Sequence, residues 1–191
     1  VLVAGSSVNY ASTAGSRGGI GSGMRLNTVE LLRALRTLER NDARPISEFG
    51  RYAAIVHPDS VADLRQDSTL VNALQYAGPR DGTNPLFDGG LPDYFGIRFF
   101  STSNARVVQS GGFSFADVYI TVLLGEGAYA TTDLDAQQMR IIYKPPTEGG
   151  PLNPLENFWS LGYKFAHVAV RLNENFMTRI EHTAQKSWYG G

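Results

Sequence analysis

The stretch from Arg51 to Gly78 constrains the fold more than any other part of the chain. Tyr52 to Val56 is a short apolar run without charge, which predicts a strand covered on both faces. Pro58 follows it and suits the first position of a helix, where the missing proline N–H leaves no hydrogen bond unmade. A buried strand followed by helical segments predicts a domain that mixes α and β structure. Nothing in this stretch positions a nucleophile, a metal or a phosphate.

Acidic residues in the same stretch suit the ends of two helices. Asp59 and Asp63 are expected near the N-terminus of the first helix, because the helix dipole favours negative charge there. Asp67 or Ser68 is expected to cap a second helix, which Gly78 would end. These features predict local structure and carry no chemistry of their own.

A second helix signal lies upstream, where Asn27 can act as the N-cap and Glu30 stands at the capping-box spacing. An apolar stripe is predicted to face the core and consists of Leu31, Leu32, Leu35 and Leu38. The opposite face carries Arg33, Arg36 and Arg40. A basic helix face can bind nucleic acid or an acidic partner, but a solvated surface is the interpretation that we favour.

Alternating and apolar runs predict further strands. They are Ile97–Ser101, Val118–Leu124, Met139–Tyr143 and a long strand over Phe158–Arg171, with Phe176–Ile180 able to pair back on the long strand. One face of the long strand is predicted to hold Trp159, Leu161, Tyr163, Phe165, His167 and Ala169. We interpret such aromatic residues as anchors of a core or an interface.

Six segments, in order along the chain, resemble the major capsid proteins typified by the N-four-like tailed bacteriophages. RYAAIVHPDSVADLRQD is similar to that family's strand-to-helix unit, and TVELLRALRTLERNDARP to the first helix of its axial domain. VLVAGSSVNYA resembles the exit from its spine helix. LFDGGLPDYFGIRFFST and VYITVLLGEGAYATTDL resemble later strands, and NPLENFWSLGYKFAHVAVRLNENFMTRIEH the return into the peripheral domain.

The resemblance implies an α+β chain with the Hong Kong ninety-seven type capsid fold. An axial domain with a central sheet and flanking helices would span residues 25–132. Residues 1–24 would be the end of the spine helix and a connector in the peripheral domain, and residues 133–191 the return strands, mainly peripheral. The family's N-terminal arm, extended loop and most of its spine helix are expected upstream of Val1.

The function that the resemblance implies is structural. A major capsid protein self-assembles as hexamers and pentamers into an icosahedral shell around double-stranded DNA, and neighbouring capsid, portal or decoration proteins are possible partners. It resides in the virion, and in the host cytoplasm during assembly, and it is not an enzyme. The alternatives are the shell protein of an encapsulin-like nanocompartment and an unrelated α+β enzyme or binding domain.

Composition narrows the remaining functions. The chain has no cysteine, which excludes disulfides, thiolate catalysis and Cys-ligated zinc. Its formal net charge of −1 is unlike that of a dedicated nucleic-acid binder, so we expect only weak, non-specific contact with packaged DNA. No apolar run approaches the roughly 20 residues that span a bilayer, so no membrane partner is expected.

The search for catalytic, cofactor and metal sites yields none. The GxGxG run at Gly19, Gly21 and Gly23 lacks the Lys of a P-loop and predicts a hinge. The histidines stand apart in the sequence, at His57, His167 and His182, and His57 can cap backbone groups beside Pro58. Asp133 and Asp135 could hold Ca²⁺ or Mg²⁺, but a turn is the favoured interpretation.

The long loop between Gly78 and Asp93 is the candidate subunit interface. It is rich in turn residues yet ends in apolar ones, namely Leu86, Phe87, Leu91 and Tyr94. Apolar clusters of this kind usually mark contact surfaces. We predict that the loop packs against a neighbouring subunit, with Phe87 as an anchor. The competing interpretation places Phe87 and Leu91 in the core of their own subunit.

Overall fold

The structure is a computed structural model that describes residues 8–10, 14–76, 93–132, 139–146, 155, 157–165 and 167–185. The described residues divide into two compact units. The first unit contains the residues up to Ala128 and those from Asn173 onward, and the second extends from Tyr129 to Leu172.

A mixed sheet of six strands forms the centre of the first unit. Its strands are β1 (Val8–Tyr10), β2 (Tyr52–Val56), β3 (Ile97–Ser101), β4 (Val107–Val108), β5 (Val118–Leu124) and β10 (Met177–His182). Their order is β1-β10-β5-β2-β3, and β4 also pairs with β5. β5 is antiparallel to both β10 and β2, whereas β1 is parallel to β10 and β3 is parallel to β2. β5 lies inside the sheet and is buried along nearly its whole length.

Three helices accompany this sheet: α1 (Thr28–Arg40), α2 (Pro58–Leu64) and α3 (Ser68–Tyr76). The predicted caps of α1 and α2 are present, because the Asn27 side chain accepts a hydrogen bond from the Glu30 N–H, and His57 Nδ1 accepts one from the Asp59 N–H. The bounds of β2, β3 and β5 also coincide with the predicted ones. Local sequence signals were therefore sufficient for these elements.

Asp67 ties the start of α3 to the start of α1. Its Oδ1 accepts a hydrogen bond from the Thr69 N–H, and its Oδ2 accepts bonds from both the backbone N–H and the hydroxyl of Thr28. Burial alone would raise the pKa of Asp67, but the bonds from Thr28 and Thr69 outweigh it and lower that pKa below its ordinary value. The predicted cap is confirmed, and it also joins two helices.

The main core contains Leu31, Leu35 and Leu38 of α1, packed with residues of β2, β5 and β10. The prediction for Leu32 was wrong, since 37% of that residue is exposed. Successive helical residues are about 100° apart, so a side chain next to Leu31 points away from the centre of the buried face. Ala34, which is fully buried, takes the remaining place on that face.

Asp63 lies in the last turn of α2, because the helix ends at Leu64, and the prediction that placed it near the N-terminus was wrong. It is buried, its Oδ2 accepts a hydrogen bond from the Gln185 N–H at 3.1 Å, and its Oδ1 lies 3.8 Å from Arg25. Burial raises the pKa of Asp63. The carboxylate joins three segments that are distant in sequence.

The long strand predicted over Phe158–Arg171 is two strands with different partners. β8 (Ser160–Lys164) pairs with β7 (Arg140–Lys144), and β9 (Val168–Arg171) pairs with β6 (Tyr129–Thr132). The segment predicted to fold back on the long strand instead forms most of β10 in the central sheet. Part of the predicted return segment 133–191 therefore belongs to the first unit, although its division into axial and peripheral domains stays a prediction.

The N-terminal region contains a short strand that no sequence pattern indicated. Residues 8–10, expected at the exit of a helix, form strand β1 beside β10. Three residues are too few for a periodic pattern, so this strand had no sequence signal. Gly78, the expected end of α3, lies outside the described residues.

Candidate assembly surface

The second unit is built from two antiparallel strand pairs, β6 with β9 and β7 with β8. β7, β8 and β9 are exposed along their whole length. A two-stranded hairpin by itself is at best marginally stable in water. The described residues of this unit therefore lack a buried core of the kind that holds the first unit together.

The register of β7 and β8 sorts their side chains onto two different faces. Ile141 lies opposite Tyr163, and Tyr143 lies opposite Leu161, so these four side chains share one face. The ring of Trp159 contacts that of Tyr143 at 5.6 Å between centroids, and the ring of Phe165 contacts that of Tyr163 at 6.1 Å. We call these six residues the ribbon face. The other face carries Arg140, Lys144, Ser160, Lys164, Ile142 and Gly162.

The ribbon face is apolar and largely open to solvent. Leu161 is 75% exposed and Tyr163 is 73% exposed. Large exposed apolar patches on soluble proteins mark contact surfaces, and aromatic residues are enriched at the centres of protein interfaces. The opposite face is mostly polar and basic, with Ile142 as its one large apolar residue among the described residues, so the ribbon is amphipathic in the way of a sheet that is covered on one side. The ribbon face is therefore the candidate assembly surface.

The sequence showed this alternation but not its exposure. Trp159, Leu161, Tyr163 and Phe165 were predicted to share one face, and four of the six residues of the ribbon face are these. The same prediction included His167 and Ala169, which the structure leaves out of β8; Ala169 lies in β9. The missed residues, Ile141 and Tyr143, follow from the register of β7 against β8.

The buried carboxylate of Glu181 in the first unit has structural partners. Glu181 is fully buried and receives two hydrogen bonds from Arg17, at 2.6 and 2.7 Å, with Arg179 at 3.1 Å. Among the residues that the structure describes, no cluster of His, Cys, Asp or Glu could hold a metal ion. Asp133 and Asp135 lie outside the described residues. No described helix is both long and apolar enough to cross a bilayer.

Solved structures share the arrangement of this chain, although no protein-family model and no curated protein matches its sequence. Against the capsid of cyanophage Pam1 the TM-score is 0.70 at 17% identity, covering 94% of this chain and 55% of that one. Against the capsid of Ralstonia phage GP4 it is 0.69 at 16% identity, covering 96% and 54%. The chain has the Hong Kong ninety-seven type capsid fold. It spans about half the length of those capsid chains.

The same fold also occurs in a solved encapsulin structure. The holo-SrpI encapsulin complex of Synechococcus elongatus matches with a TM-score of 0.57 at 9% identity, covering 99% of this chain and 57% of that one. The fold predicted from the six segments is confirmed. The same fold therefore appears both in phage capsids and in an encapsulin.

The interface residues that were expected on this fold fall at the edge of the described part. Leu86, Phe87 and Leu91 lie outside the described residues. Tyr94 is half-buried and packs against the main core of the first unit. Its ring lies 4.1 Å from that of Phe95, and its backbone pairs with Ile97. A role for these four residues between subunits stays a prediction.

His182 is the last residue of β10 and is fully buried. Its Nδ1 is 3.0 Å from the Thr183 carbonyl oxygen, and its Nε2 is 2.9 Å from the Thr121 hydroxyl. A carbonyl oxygen only accepts, so Nδ1 carries the proton and Nε2 accepts from Thr121. Burial lowers the pKa of His182 from 6.5 to about 4, partly offset by the bond to Thr183.

We expect this histidine to make the subunit sensitive to acid. The folded state prefers the neutral ring, so its contribution to stability is complete above pH 6.5 and is lost as the pH falls through about 4. Linkage gives a loss of about 2 kcal/mol between pH 7 and pH 5. The measurement is urea unfolding at both pH values for the wild type and for His182→Gln, which does not titrate. An equal loss in both proteins would contradict the assignment.

Proposed function

We propose that the protein is the major capsid protein of a tailed bacteriophage. The observation that carries this proposal is the likeness of nearly the whole chain to phage capsid chains, at TM-scores of 0.70 and 0.69. In this role the protein self-assembles as hexamers and pentamers into an icosahedral shell around double-stranded DNA. It is a structural protein rather than an enzyme, and resides in the virion after assembly in the host cytoplasm.

The ribbon face supports an assembling protein over a monomeric enzyme. A monomer gains nothing from an aromatic strip held in water, whereas a shell subunit covers it with protein and removes about 25 cal/mol of unfavourable free energy per Å² of apolar surface. The polar face of the same ribbon stays hydrated. We therefore propose that the ribbon face is buried against protein in the shell.

An encapsulin-like nanocompartment is the second candidate. It is supported by the match to the SrpI encapsulin, which has a lower TM-score of 0.57 than the two phage capsids. A phage capsid and a nanocompartment differ in what the shell encloses, because a phage capsid encloses DNA. The nucleic acid recovered from purified, nuclease-treated particles from infected cells distinguishes a phage shell from a protein-filled compartment.

Negative-stain electron microscopy of the purified protein tests the proposal. We expect closed shells of uniform diameter, together with hexamers or pentamers in size-exclusion chromatography. A protein that stays monomeric at every concentration and shows no shells, while circular dichroism reports a folded sheet, would contradict a capsid role.

The predicted loop interface supplies a variant of this test. If Leu86, Phe87, Leu91 and Tyr94 pack against a neighbouring subunit, Phe87→Asp should block particle formation and leave the subunit folded by circular dichroism. A loss of ~1–2 kcal/mol per contact is repeated across the whole shell. Loss of both folding and particles would place Phe87 in its own core, and normal particles would defeat both interpretations.

A further inference from the structure

The outer face of α1 carries a straight row of arginines. Arg33, Arg36 and Arg40, which we call the arginine stripe, are all exposed. At 3.6 residues per turn they lie within an arc of about 60° and extend about 10 Å along the helix. The buried leucines of α1 occupy the opposite side of the helix. The three arginines and Thr37 line a shallow groove of about 230 Å³.

The stripe keeps a net positive charge. Arg33 contacts the buried Glu30 at 2.9 Å, which offsets its charge. Within the described part of the chain, neither Arg36 nor Arg40 forms an ion pair with an acidic side chain. Two guanidinium groups that form no ion pair with a described acidic side chain therefore stand side by side in a chain whose formal net charge is only −1.

The chemistry of the groove fits a polyphosphate. Guanidinium groups bind phosphate oxygens through paired hydrogen bonds, and a row of them along one axis matches the regularly spaced charges of a nucleic-acid backbone. The groove has no aromatic lining residue, whereas proteins that bind single strands stack bases on aromatic rings. A double helix, which offers phosphates and hides its bases, is the better match.

We propose that the arginine stripe contacts the phosphate backbone of double-stranded DNA without reading its sequence. This inference deepens the proposed function, on which it rests, by assigning the face of the subunit that meets enclosed DNA. Two to three phosphate contacts give a slope of roughly −2 to −3 in log K against log salt. Binding by a single subunit should therefore be measurable at low salt and weak at physiological salt.

Fluorescence anisotropy with a labelled duplex of random sequence tests the stripe over a salt series. The variant is Arg36→Gln with Arg40→Gln. The control is Arg44→Gln with Arg106→Gln, which removes two exposed arginines elsewhere in the first unit and leaves the same net charge. We expect the stripe variant to lose at least about tenfold in affinity at low salt, with a slope shallower by about two. The control should change affinity less than about twofold, because it removes no phosphate contact.

Three outcomes would overturn the inference. One is an equal loss of affinity for duplex DNA in the stripe variant and in the control, which would show that only the net charge of the protein matters. Another is no binding of duplex by the wild type at low salt. The third is unchanged duplex binding by a stripe variant that binds polyglutamate less tightly, since the partner would then be an acidic protein. Arg36→Lys with Arg40→Lys should retain the salt slope, because both charges remain.

Microscopy separates this inference from the proposed function. The stripe variant should still assemble into particles, because the arginine stripe is distinct from the ribbon face. A wild type that binds duplex through the stripe but forms no shells would contradict the capsid role and leave the stripe in place. Shells formed by a wild type that does not bind duplex would support the capsid role and contradict the proposed contact between the arginine stripe and DNA.

Discussion

Leu161→Glu is expected to abolish particle formation while leaving the first unit folded. Leu161 lies in the middle of the ribbon face, opposite Tyr143, and is 75% exposed in the single chain. Introducing a carboxylate costs little there until the face is covered. Once it is covered, an unpaired charge in an apolar contact costs several kcal/mol, and about 3 kcal/mol reduces an association constant roughly 100-fold. A shell repeats that loss at every subunit.

Ser160→Glu is the matched control for this variant. It adds the same charge one residue away, on the polar face of β8, directly opposite Lys144. An opposite-charge pair across two strands is mildly stabilising, so this variant should form normal particles. Size-exclusion chromatography and negative-stain microscopy measure assembly, and circular dichroism measures folding.

The pair of variants discriminates three arrangements. Particles lost only in Leu161→Glu, with the subunit folded, place the ribbon face between polypeptides of the shell. Loss of folding as well as particles would mean that the face covers part of its own polypeptide. Normal particles from Leu161→Glu would show that the ribbon face is not buried in the assembly at all.

Leu38→Ala should destabilise the subunit by about 2–5 kcal/mol, which is the usual cost of truncating a fully buried leucine. Leu38 has no exposed surface and lies in the main core with Leu31 and Leu35. Its removal leaves a cavity between α1 and the central sheet. Urea unfolding of unassembled subunits measures the free energy of unfolding without a contribution from subunit contacts.

Leu32→Ala is the comparison on the same helix. The chemical change is identical and helix propensity changes equally, but Leu32 is partly exposed and lies outside the core clusters. Its expected cost is under about 1 kcal/mol. If the two variants were destabilised to the same extent, the orientation of α1 on the sheet would be wrong.

The helix caps and the central strands could be predicted from the sequence because the interactions and patterns that determine them are local. Asn27 and His57 bond to backbone groups two or three residues away, so a short window of residues contains both partners. β2 and β5 are apolar runs that are buried along nearly their whole length, and β3 is an apolar run interrupted by Arg98 and partly exposed. Their predicted bounds held because the strand signal of each lies within its own few residues.

Strand partners were decided by the whole chain. The segment near the C-terminus had an equally plausible partner in Phe158–Arg171, yet β10 pairs with β5, more than fifty residues away in sequence, and with β1. Any apolar strand can pair with several others, and the choice depends on which arrangement buries the most surface at once. A pattern in one segment does not contain that comparison.

The solvent exposure of the apolar ribbon face was likewise decided by the tertiary structure. The alternation of Trp159, Leu161, Tyr163 and Phe165 established by itself that one face of this segment is apolar. Whether that face is buried in a core or stays exposed depends on what packs against it. In the structure β7 and β8 form a ribbon whose residues are all exposed.

The arginine stripe likewise combines a feature that the sequence showed with one that depends on the tertiary structure. Its spacing on α1 was readable from the sequence. That Arg36 and Arg40 form no ion pair with a described acidic side chain could be known only from the positions of groups distant along the chain, because electrostatic partners meet in space rather than in sequence.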